Sequence, residues 1–426
     1  MLLLNFSFQL SCQNQQAQID WFLLLKGNNG YNGHYLDYLQ QDYFNNYNNI
    51  SSDQNPIFDT IEQLYQGKNF QTLMFNDETP LDKTSSTLAH QKGVISYDQQ
   101  TDSGFYLMHS TPGWPPQLNA TYNYTNTIYG QHFFCVNIKL AQLEQLGKVL
   151  YVTRPQIYEN TFDLLWAQDA VPTFSLVLQK LYNKTATLQQ LSFESSNKQV
   201  FAFYFKNSQA GVDLWSEIST DQNKSFVVET WLKDSVTVAK CDFPSVEMIG
   251  NVSINGQTWS QTQDHSKWGI DVGGSVVCFS DINFQNSQSK RGGGAICLEK
   301  PTLAKTLQKS VVNMNSDFNL TCHPDTNNTN ATNNSTNNTN NTNNTNNSTN
   351  SSEPNTNQTQ PNPGGQTKEQ KQKIIEIAVG TVVGVVLVVT ITIIILLVLK
   401  KRKLKNKLKQ SRLQKGKLIL QNRVRQ

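Results

Sequence analysis

Two kinds of hydrophobic pattern alternate along the first 322 residues of this 426-residue chain. Short apolar runs predict strands, and they lie at 19–26 (IDWFLLLK), 104–110 (GFYLMHS), 133–138 (FFCVNI) and 200–205 (VFAFYF). Apolar residues closer to helical spacing occur at 55–67 (NPIFDTIEQLYQG) and 162–169 (FDLLWAQD). This mixture predicts an α/β or α+β layered fold, and roughly 310 residues are enough to bury one large core.

The last part of the chain has a different pattern. Residues 377–399 (IAVGTVVGVVLVVTITIIILLVL) carry no charge. At ~1.5 Å rise per residue, a helix of this length crosses a hydrocarbon core of ~30 Å, so the segment predicts one transmembrane helix. Its Gly-x-x-x-Gly spacing at 380–384 is a weak indication of a homo-oligomer packed through the membrane.

The tail that follows, 400–426, contains 12 Lys or Arg residues and no Asp or Glu. The positive-inside rule places this tail in the cytosol and everything before the span in a lumen or outside the cell. The tail either is only a stop-transfer anchor or also rests on the anionic cytosolic leaflet. Without it, 23 basic residues face 32 acidic ones, a net charge of −9, so bulk charge does not favour nucleic-acid binding by the ectodomain.

Two further segments border the globular region. Residues 1–11 resemble a short signal peptide without its positive n-region. Residues 323–376 are predicted to be a disordered stalk, because 324–366 is almost entirely Asn, Thr, Ser, Pro and Gly and cannot bury apolar area. The repeated Asn-x-Ser/Thr sequences of the stalk either carry glycans or only reflect an Asn-rich composition.

Cysteines and glycosylation sequences agree with a lumenal ectodomain. The six cysteines are Cys12, Cys135, Cys241, Cys278, Cys297 and Cys322. An even number in an oxidising compartment predicts three disulfides out of 15 possible pairings. Within the globular region, Asn-x-Ser/Thr occurs at Asn49, Asn119, Asn123, Asn183, Asn223, Asn251 and Asn319. No Cys-x-x-Cys pair is present, so a zinc site is not expected.

The candidate chemistry lies in two His-x-Lys pairs, His90 with Lys92 and His265 with Lys267. In an extended backbone each histidine and its lysine point to the same side. The ammonium keeps the neighbouring imidazole neutral and nucleophilic, and it can also hold a phosphate oxygen. Two such pairs facing each other would supply a nucleophile, an acid and a two-lysine clamp for a phosphodiester. Either pair alone is more often a surface coincidence.

The sequence around these pairs resembles the deoxyribonuclease II family, which is related to the phospholipase D superfamily. The matching segments are collinear over most of the globular region. They are IDWFLLLK (19–26), YLD (35–37), FNDETP (75–80), HQKGV (90–94), GFYLMHSTPGWPP (104–116), YGQHFFCV (129–136), QDHSKW (263–268) and RGGGAICL (291–298). Segment 155–240 matches less clearly.

The resemblance implies an α-β-α layered pseudo-dimer in one chain, with halves 12–150 and 151–322 each contributing one His-x-Lys pair to a single site. It implies metal-independent endonucleolytic cleavage of double-stranded DNA at acidic pH, with 3′-phosphate products and no cofactor. One imidazole would attack phosphorus and the other would protonate the leaving oxygen, which a reference pKa of about 6.5 allows at mildly acidic pH. Which histidine attacks stays open.

Further roles follow from the same resemblance. His109 is expected to be auxiliary near the phosphate, and Asn283 is expected to bind phosphate. The implied disulfides are Cys12–Cys135, Cys241–Cys322 and Cys278–Cys297. His34 and His132 lack a lysine at the same offset and are expected to be structural or exposed. The RGGG sequence at 291–294 is expected to form a tight turn rather than a phosphate-binding loop, since no lysine-bearing helix follows it.

The chain departs from the superfamily pattern in one respect. The Asp expected five positions after each lysine is displaced, because position 97 is Tyr with Asp98 next to it, and position 272 is Val with Asp271 before it. The sequence therefore predicts a type I membrane-anchored acid endonuclease of a lysosome-like or phagosome-like lumen, or of the cell surface. Two alternatives stay open: a non-catalytic DNA-binding membrane protein, and a phospholipase D-like enzyme acting on lipids.

Overall fold

The computed structural model describes residues 9–315 and Cys322, apart from residues 53, 68, 69 and 233–238. The predicted stalk, transmembrane span and basic tail lie outside the described residues, as does most of the signal-like segment. Within the described ranges, no helix has the length and apolar character needed to cross a membrane.

The strands form a short ribbon and two large sheets. The ribbon consists of β1 (Gln13–Asn14) and β2 (Ala17–Gln18). The first sheet consists of β3 (Trp21–Lys26), β4 (Gly33–Asp37), β5 (Asn45–Tyr47), β6 (Gln71–Asn76), β7 (Lys92–Asp98), β8 (Ser103–His109), β9 (Gln131–Ile138) and β10 (Ile157–Asn160). The second consists of β11 (Leu188–Glu194), β12 (Val200–Lys206), β13 (Phe226–Thr230), β14 (Val246–Ile254), β15 (Gln257–Ser260), β16 (Lys267–Asp271), β17 (Val276–Ser280), β18 (Gly293–Glu299) and β19 (Val311–Met314).

Six α-helices and three single-turn 3₁₀ segments connect these strands. The helices are α1 (Pro56–Glu62), α2 (Leu140–Thr153), α3 (Leu164–Ala170), α4 (Pro172–Leu178), α5 (Leu214–Gln222) and α6 (Pro301–Gln308). The 3₁₀ segments are Gln63–Tyr65, Gln261–Gln263 and Asn286–Lys290. Side-chain caps explain several of the helix starts: Asn55 accepts from two backbone N–H groups of α1, and Asp163 does the same for α3.

Most strands pair with antiparallel neighbours. The first sheet has the order β10-β6-β7-β8-β9-β3-β4-β5 and is antiparallel throughout. The second has the order β11-β12-β18-β17-β16-β13-β14-β15, with β19 beside β14, and its one parallel pair is β13 with β14. All strands of the first sheet precede all strands of the second in the chain.

The two sheets pack face to face. Along β3, Trp21 and Leu23 belong to a core shared with second-sheet residues, whereas Phe22 packs on the other side beneath α1. Phe134 of β9 stacks on Phe279 of β17 with ring centroids 4.7 Å apart, which joins the sheets directly. The outer face of the second sheet is covered by α5. Strand alternation therefore supplies a shared central core and two outer cores.

The predicted class and the predicted elements agree with this structure at a coarse level. A mixed α/β architecture with large sheets is confirmed, and the four predicted strands and two predicted helices each overlap an observed element. The last strand of the first sheet, β10, lies beyond residue 150, where the sequence places the boundary between halves. The disulfides are Cys12–Cys135, Cys241–Cys322 and Cys278–Cys297, which is the pairing that the resemblance implies.

Candidate active site

The two His-x-Lys pairs occupy matching positions in the two sheets. Lys92 is the first residue of β7 and Lys267 is the first residue of β16. His90 and His265 each lie two residues before their strand. Both lysines are buried, with 6% and 5% of their surface exposed.

The two pairs lie close enough to act on each other electrostatically. Burial and the Lys92 ammonium lower the pKa of Lys267 to about 8. Burial, Lys267 and Lys92 together lower the pKa of His265 to about 3. Burial also lowers the pKa of His90 well below its usual value, against the opposing effect of Asp77 and with the help of Lys267. Without a bound anion, both imidazoles are therefore neutral at mildly acidic pH.

One hydrogen bond fixes the tautomer of His90. Its Nδ1 atom lies 2.9 Å from the backbone oxygen of Asp281, a residue that follows β17. Because a carbonyl oxygen only accepts, Nδ1 carries the proton and the neutral ring keeps its lone pair on Nε2. That Nε2 atom lies 3.8 Å from the Asp77 carboxylate.

Asp77 is the centre of a buried ion network beside His90. Its carboxylate accepts from the Lys92 ammonium and, at 3.0 Å, from the guanidinium of Arg291. Burial raises the pKa of this carboxyl, but Lys92, His90 and Arg291 outweigh that effect and hold its pKa well below the usual range. Arg291 also donates to the backbone oxygen of Leu88 and so ties the loop before His90 to the second sheet.

His265 has aromatic rather than ionic surroundings. The ring of Tyr129 stacks on it with centroids 4.3 Å apart, and Trp231 lies at 4.4 Å in a tilted arrangement. Its Nε2 atom is buried and has no hydrogen-bond partner among the described residues. Lys267 donates to the backbone oxygen of His265 at 2.7 Å, and none of the salt bridges within the described ranges involves this lysine.

Each histidine is anchored to the other sheet through a glycine carbonyl. The His265 N–H donates to Gly130 at 2.9 Å, and the His90 N–H donates to Gly292 at 2.8 Å. Gly130 precedes β9 and Gly292 precedes β18, so the two contacts are related by exchanging the sheets. A Cβ atom at Gly130 would meet the Asp264 carboxylate, and one at Gly292 would meet the carbonyl oxygen of Thr153. Close approach therefore requires glycine at both positions.

Two buried lysines hold the loops that carry these glycines. Lys26, at the end of β3, donates to the carbonyl oxygens of Gly27 and Tyr129, both at 2.8 Å. Lys206, at the end of β12, donates to three carbonyl oxygens, of which that of Arg291 is the nearest at 2.6 Å. Burial lowers the pKa of each lysine to about 8. Tyr129 and Arg291 thus occupy corresponding positions: Tyr129 stacks on His265, and Arg291 binds Asp77 beside His90.

The two residues with expected auxiliary roles are both buried. His109 ends β8, packs edge-on against Trp114 at 4.8 Å, and has no hydrogen-bond partner for either ring nitrogen among the described residues. Burial and Lys92 lower its pKa well below the usual value, so it lies near the first pair. Asn283 follows β17 and its Oδ1 has no partner within the described part of the chain. Their roles stay predictions.

A third histidine lies beside the second pair. His132 was expected to be structural or exposed, and it is fully buried, with its Nδ1 accepting from the backbone N–H of Lys267 at 3.0 Å. Burial and Lys267 lower its pKa well below the usual value. The motif HFFCV around it gives no sign of this contact, because the contact joins different sheets. His34 is also buried, and its ring stacks on that of Trp259.

Carboxylates reach the site from outside the superfamily pattern. Asp98 ends β7 and Asp271 ends β16, at the far ends of the strands that begin with the lysines. The nearer acids are Asp77 and Asp281. Burial raises the pKa of Asp281 to about 7, although the side chain accepts from Gln91 at 2.8 Å and lies near both site lysines.

The RGGG sequence at 291–294 was expected to form a tight turn, but its last two glycines, Gly293 and Gly294, begin strand β18. Its Arg291 binds Asp77, and its Gly292 accepts the His90 N–H. Among the described residues, no group of three or more His, Cys, Asp or Glu side chains has a geometry suited to a metal ion.

Comparisons with known proteins give a consistent result. The family model for deoxyribonuclease II matches residues 11–317, well over half of the chain. The chain is 28% identical over 331 residues to cell-death-related nuclease 7 of Caenorhabditis elegans, covering 71% of this chain and 87% of that protein. It is 28% identical to plancitoxin-1 of Acanthaster planci (71% and 91% covered) and 28% identical to deoxyribonuclease-2-alpha of Rattus norvegicus (71% and 93% covered). The chain belongs to the deoxyribonuclease II family.

Proposed function

We propose that this protein is an endonuclease that hydrolyses the phosphodiester bonds of double-stranded DNA in an acidic lumen. Family membership supports a DNA-hydrolysing enzyme. The observation that carries the mechanism is the approach of the two His-x-Lys pairs, in which Lys92 and Lys267 lower the pKa of the same imidazole, His265. Lys92 and Lys267 repel each other electrostatically, and a phosphodiester bound between them would offset that repulsion.

His90 is the proposed nucleophile. Its Nδ1–H is committed to the Asp281 carbonyl, so the lone pair on Nε2 is available to attack phosphorus. Attack forms a phosphorus–nitrogen bond and breaks the bond to the 5′-oxygen, which gives a phosphohistidine on the 3′ side. Water then hydrolyses this intermediate, and the product keeps a 3′-phosphate while His90 is restored.

His265 is the proposed general acid for the leaving 5′-oxygen. Its pKa is low in the unliganded protein because burial and two lysines disfavour the imidazolium. A phosphodiester bound between these lysines offsets their charge and raises that pKa. The faces of Tyr129 and Trp231 stabilise the imidazolium further. Protonation of His265 thus requires both substrate and acidic pH, which accounts for an acidic optimum.

The proposed architecture is a pseudo-dimer of two halves within one chain. Support comes from the correspondence of Lys92 with Lys267 at strand starts, of Gly130 with Gly292, and of Lys26 with Lys206. We propose that the halves meet between β10 and β11, because β10 still pairs with β6.

The proposed setting is a single-pass membrane protein with its nuclease domain in the lumen or outside the cell. Three disulfides within the described residues support an oxidising compartment. The apolar segment 377–399 and the basic tail 400–426 support an anchor with a cytosolic C-terminus.

The test is plasmid cleavage by the full-length protein at pH 5 in EDTA, compared with His90→Ala and His265→Ala. We expect relaxation and linearisation of the plasmid by the unchanged protein, 3′-phosphate ends, and losses of roughly 10²–10⁴-fold or more in each variant. Absence of cleavage with retained DNA binding would instead identify a non-catalytic DNA-binding protein. Equal activity in all three proteins would exclude the histidine mechanism.

A further inference from the structure

A basic cavity lies beside the loop that carries His90. It has a volume of about 360 Å³ and is formed by the ends of α2 and α4, the loop between α4 and β11, the residues after β12 and the glycine before β18. Its cationic lining residues are Arg154, Lys180 and Lys184. No part of the mechanism above uses this cavity.

The charge of the cavity contrasts with that of the chain. All three cations are exposed, no Asp or Glu lines the cavity, and none of the three forms a salt bridge among the described residues. The hydroxyl of Tyr182 adds a neutral hydrogen-bonding group: burial raises its pKa to about 12, and the nearby Arg154 guanidinium opposes that rise. Outside the basic tail the protein carries a net charge of −9, so the cavity is a local positive site in an acidic ectodomain.

The cavity shares a wall with the candidate active site. Gly292 lines it and also accepts the backbone N–H of His90 at 2.8 Å. The carbonyl oxygen of Arg154 accepts the N–H of Ala89, the residue before His90, at 3.0 Å. The cavity therefore lies beside the backbone of the segment that carries His90.

Arg154 and Lys180 have backbone conformations that long side chains rarely adopt. Arg154 ends α2 with φ 63°, and Lys180 follows α4 with φ 59°, in the left-handed region where glycine or asparagine is usual at helix ends. A cation at a helix C-terminus also interacts with the helix dipole. A purely structural role would thus change stability, whereas a role in binding would change the salt dependence of DNA affinity.

We propose that this cavity is a phosphate subsite that binds the DNA backbone next to the cleaved phosphodiester, through Arg154, Lys180 and Lys184. The inference rests on the proposed nuclease function. It predicts that the cavity contributes to duplex affinity and not to the chemistry at His90, since a small phosphodiester ends before it reaches the cavity.

The test uses the full-length protein with Arg154→Gln, Lys180→Gln and Lys184→Gln combined. The matched control combines Lys300→Gln, Lys305→Gln and Lys309→Gln, which removes the same charge around α6. This helix lies beside the turn that joins β16 and β17, and that turn is at the opposite end of β16 from Lys267. Because Asn183 at the cavity is part of an Asn-Lys-Thr sequence, all proteins are first treated with an endoglycosidase. Melting temperatures verify that each variant folds.

Duplex binding is measured by fluorescence anisotropy in a His90→Ala background across a salt series. We expect the cavity variant to bind about tenfold more weakly, with a slope of log Kd against log salt shallower by about one, which corresponds to one lost phosphate contact. We expect the α6 control to match the parent. With His90 intact, hydrolysis of bis(p-nitrophenyl) phosphate should stay within about twofold of the parent, because the chemistry is unchanged.

Each other result has a distinct meaning. A slope equal to that of the α6 control would overturn the subsite. An equal loss on duplex and on the small phosphodiester would assign the cations to support of His90 instead, which also overturns it. A parent protein that binds duplex with the expected slope but cleaves neither substrate would reject the nuclease function while leaving the subsite intact.

Discussion

The surroundings of His90 and of His265 differ sharply although the backbone around them is the same. Each histidine precedes a lysine that begins a strand, and each donates its N–H to a glycine carbonyl of the other sheet. The residue before that glycine is Arg291 on one side and Tyr129 on the other. Arg291 organises an ion network around His90 through Asp77, and Tyr129 stacks on His265.

This difference shows how a near-symmetric frame can give two identical side chains opposite duties. On the His90 side, a carbonyl fixes the neutral tautomer and Asp77 is already satisfied by two cations, so the imidazole has no reason to take up a proton. On the His265 side no carboxylate contacts the ring within the described residues, and the flanking π faces favour a cation once the lysines are neutralised. One corresponding pair of positions, Tyr129 and Arg291, accounts for much of the asymmetry.

The largest expected effect separates the two histidines by leaving group. A phosphodiester with a p-nitrophenolate leaving group needs no proton from the enzyme, whereas a DNA 5′-oxygen does. We expect His265→Ala to lose roughly 10²–10⁴-fold on DNA and less than about tenfold on bis(p-nitrophenyl) phosphate. His90→Ala should lose activity on both substrates, because the nucleophile itself is missing.

Steady-state kcat/KM values for both substrates, measured at pH 5 in EDTA, provide the comparison. The assignment would be reversed if His90→Ala, rather than His265→Ala, were rescued by the activated substrate. Parallel losses in both variants on both substrates would mean that the surroundings do not divide the labour between the rings.

The second prediction concerns stability. Asp77→Asn leaves the buried Lys92 and Arg291 charges without their partner, and breaking a buried ion pair typically costs about 3–5 kcal/mol. Asp264→Asn is the matched change beside His265. Burial raises the pKa of Asp264, and its two oxygens accept separately from Trp259 and from the Ser266 N–H, so the single oxygen of an asparagine keeps one of these bonds and loses the other.

We therefore expect a loss of about 3–5 kcal/mol for Asp77→Asn and a smaller loss of about 1–2 kcal/mol for Asp264→Asn, which leaves one buried donor unsatisfied but no buried charge unpaired. Urea-induced unfolding gives both free energies. Equal losses would show that the ion network is no more important to the fold than its counterpart beside His265.

The sequence predicted the elements that depend on local pattern. The short apolar runs of 19–26 and 104–110 correspond to β3 and β8, and the two His-x-Lys pairs were recognisable from residue type and spacing alone. It could not predict what surrounds each pair. Asp77, Tyr129 and Arg291 reach the histidines only through contacts between strands far apart in the chain, and no short motif encodes such contacts.

Two properties of the site depend on the folded chain rather than on the local sequence. His132 lacks a lysine neighbour in sequence, yet packing of the sheets brings it onto the backbone of Lys267. The reference pKa of 6.5 suggested that both protonation states coexist at mildly acidic pH, but burial and the second lysine lower the pKa of both catalytic candidates. Burial and charge proximity are properties of the folded chain, so composition and spacing do not reveal them.

The third prediction tests the aromatic side of the comparison through pH. Trp231→Leu removes one π face from His265, and a cation–π contact contributes about 0.5–2 kcal/mol. Less stabilisation of the imidazolium lowers its pKa in the substrate complex. We expect the alkaline limb of the kcat–pH profile on DNA to move to lower pH by roughly half a unit to one unit, since 1.36 kcal/mol corresponds to one pKa unit.

The control is Trp166→Leu, which removes a ring stacked on that of Tyr97 with centroids 5.7 Å apart. Tyr97 belongs to β7 but lies at the end of the strand away from Lys92. Its kcat–pH profile should keep the position of the unchanged protein. A shift of equal size in both variants would attribute the effect to general loosening of the core, and no shift in either would remove the aromatic faces from the account of His265.

The smallest expected effect is a change in how stability depends on pH, and it arises beside His90. Burial raises the pKa of Asp281 to about 7 from an ordinary value of 3.8. Between these two values the folded protein holds a proton that the unfolded chain has released, so this group makes the fold less stable as pH rises from about 4 to about 7. Asp281→Asn keeps an acceptor for Gln91 and for the Gly294 N–H while removing the titration.

We expect the melting temperature of Asp281→Asn to gain on that of the unchanged protein as pH rises from 4.5 to 7.5, with the difference levelling off above pH 7. Differences between variant and parent cancel the contributions of His90 and His265, whose lowered pKa values make stability fall in the acid direction. Exposed Glu299→Gln should show no such trend. A pH-independent difference for Asp281→Asn would mean that Asp281 is ionised throughout this range. The segment that fixes the His90 tautomer would then carry a buried negative charge, which favours the protonated form of His90. That result would argue against His90 as the nucleophile.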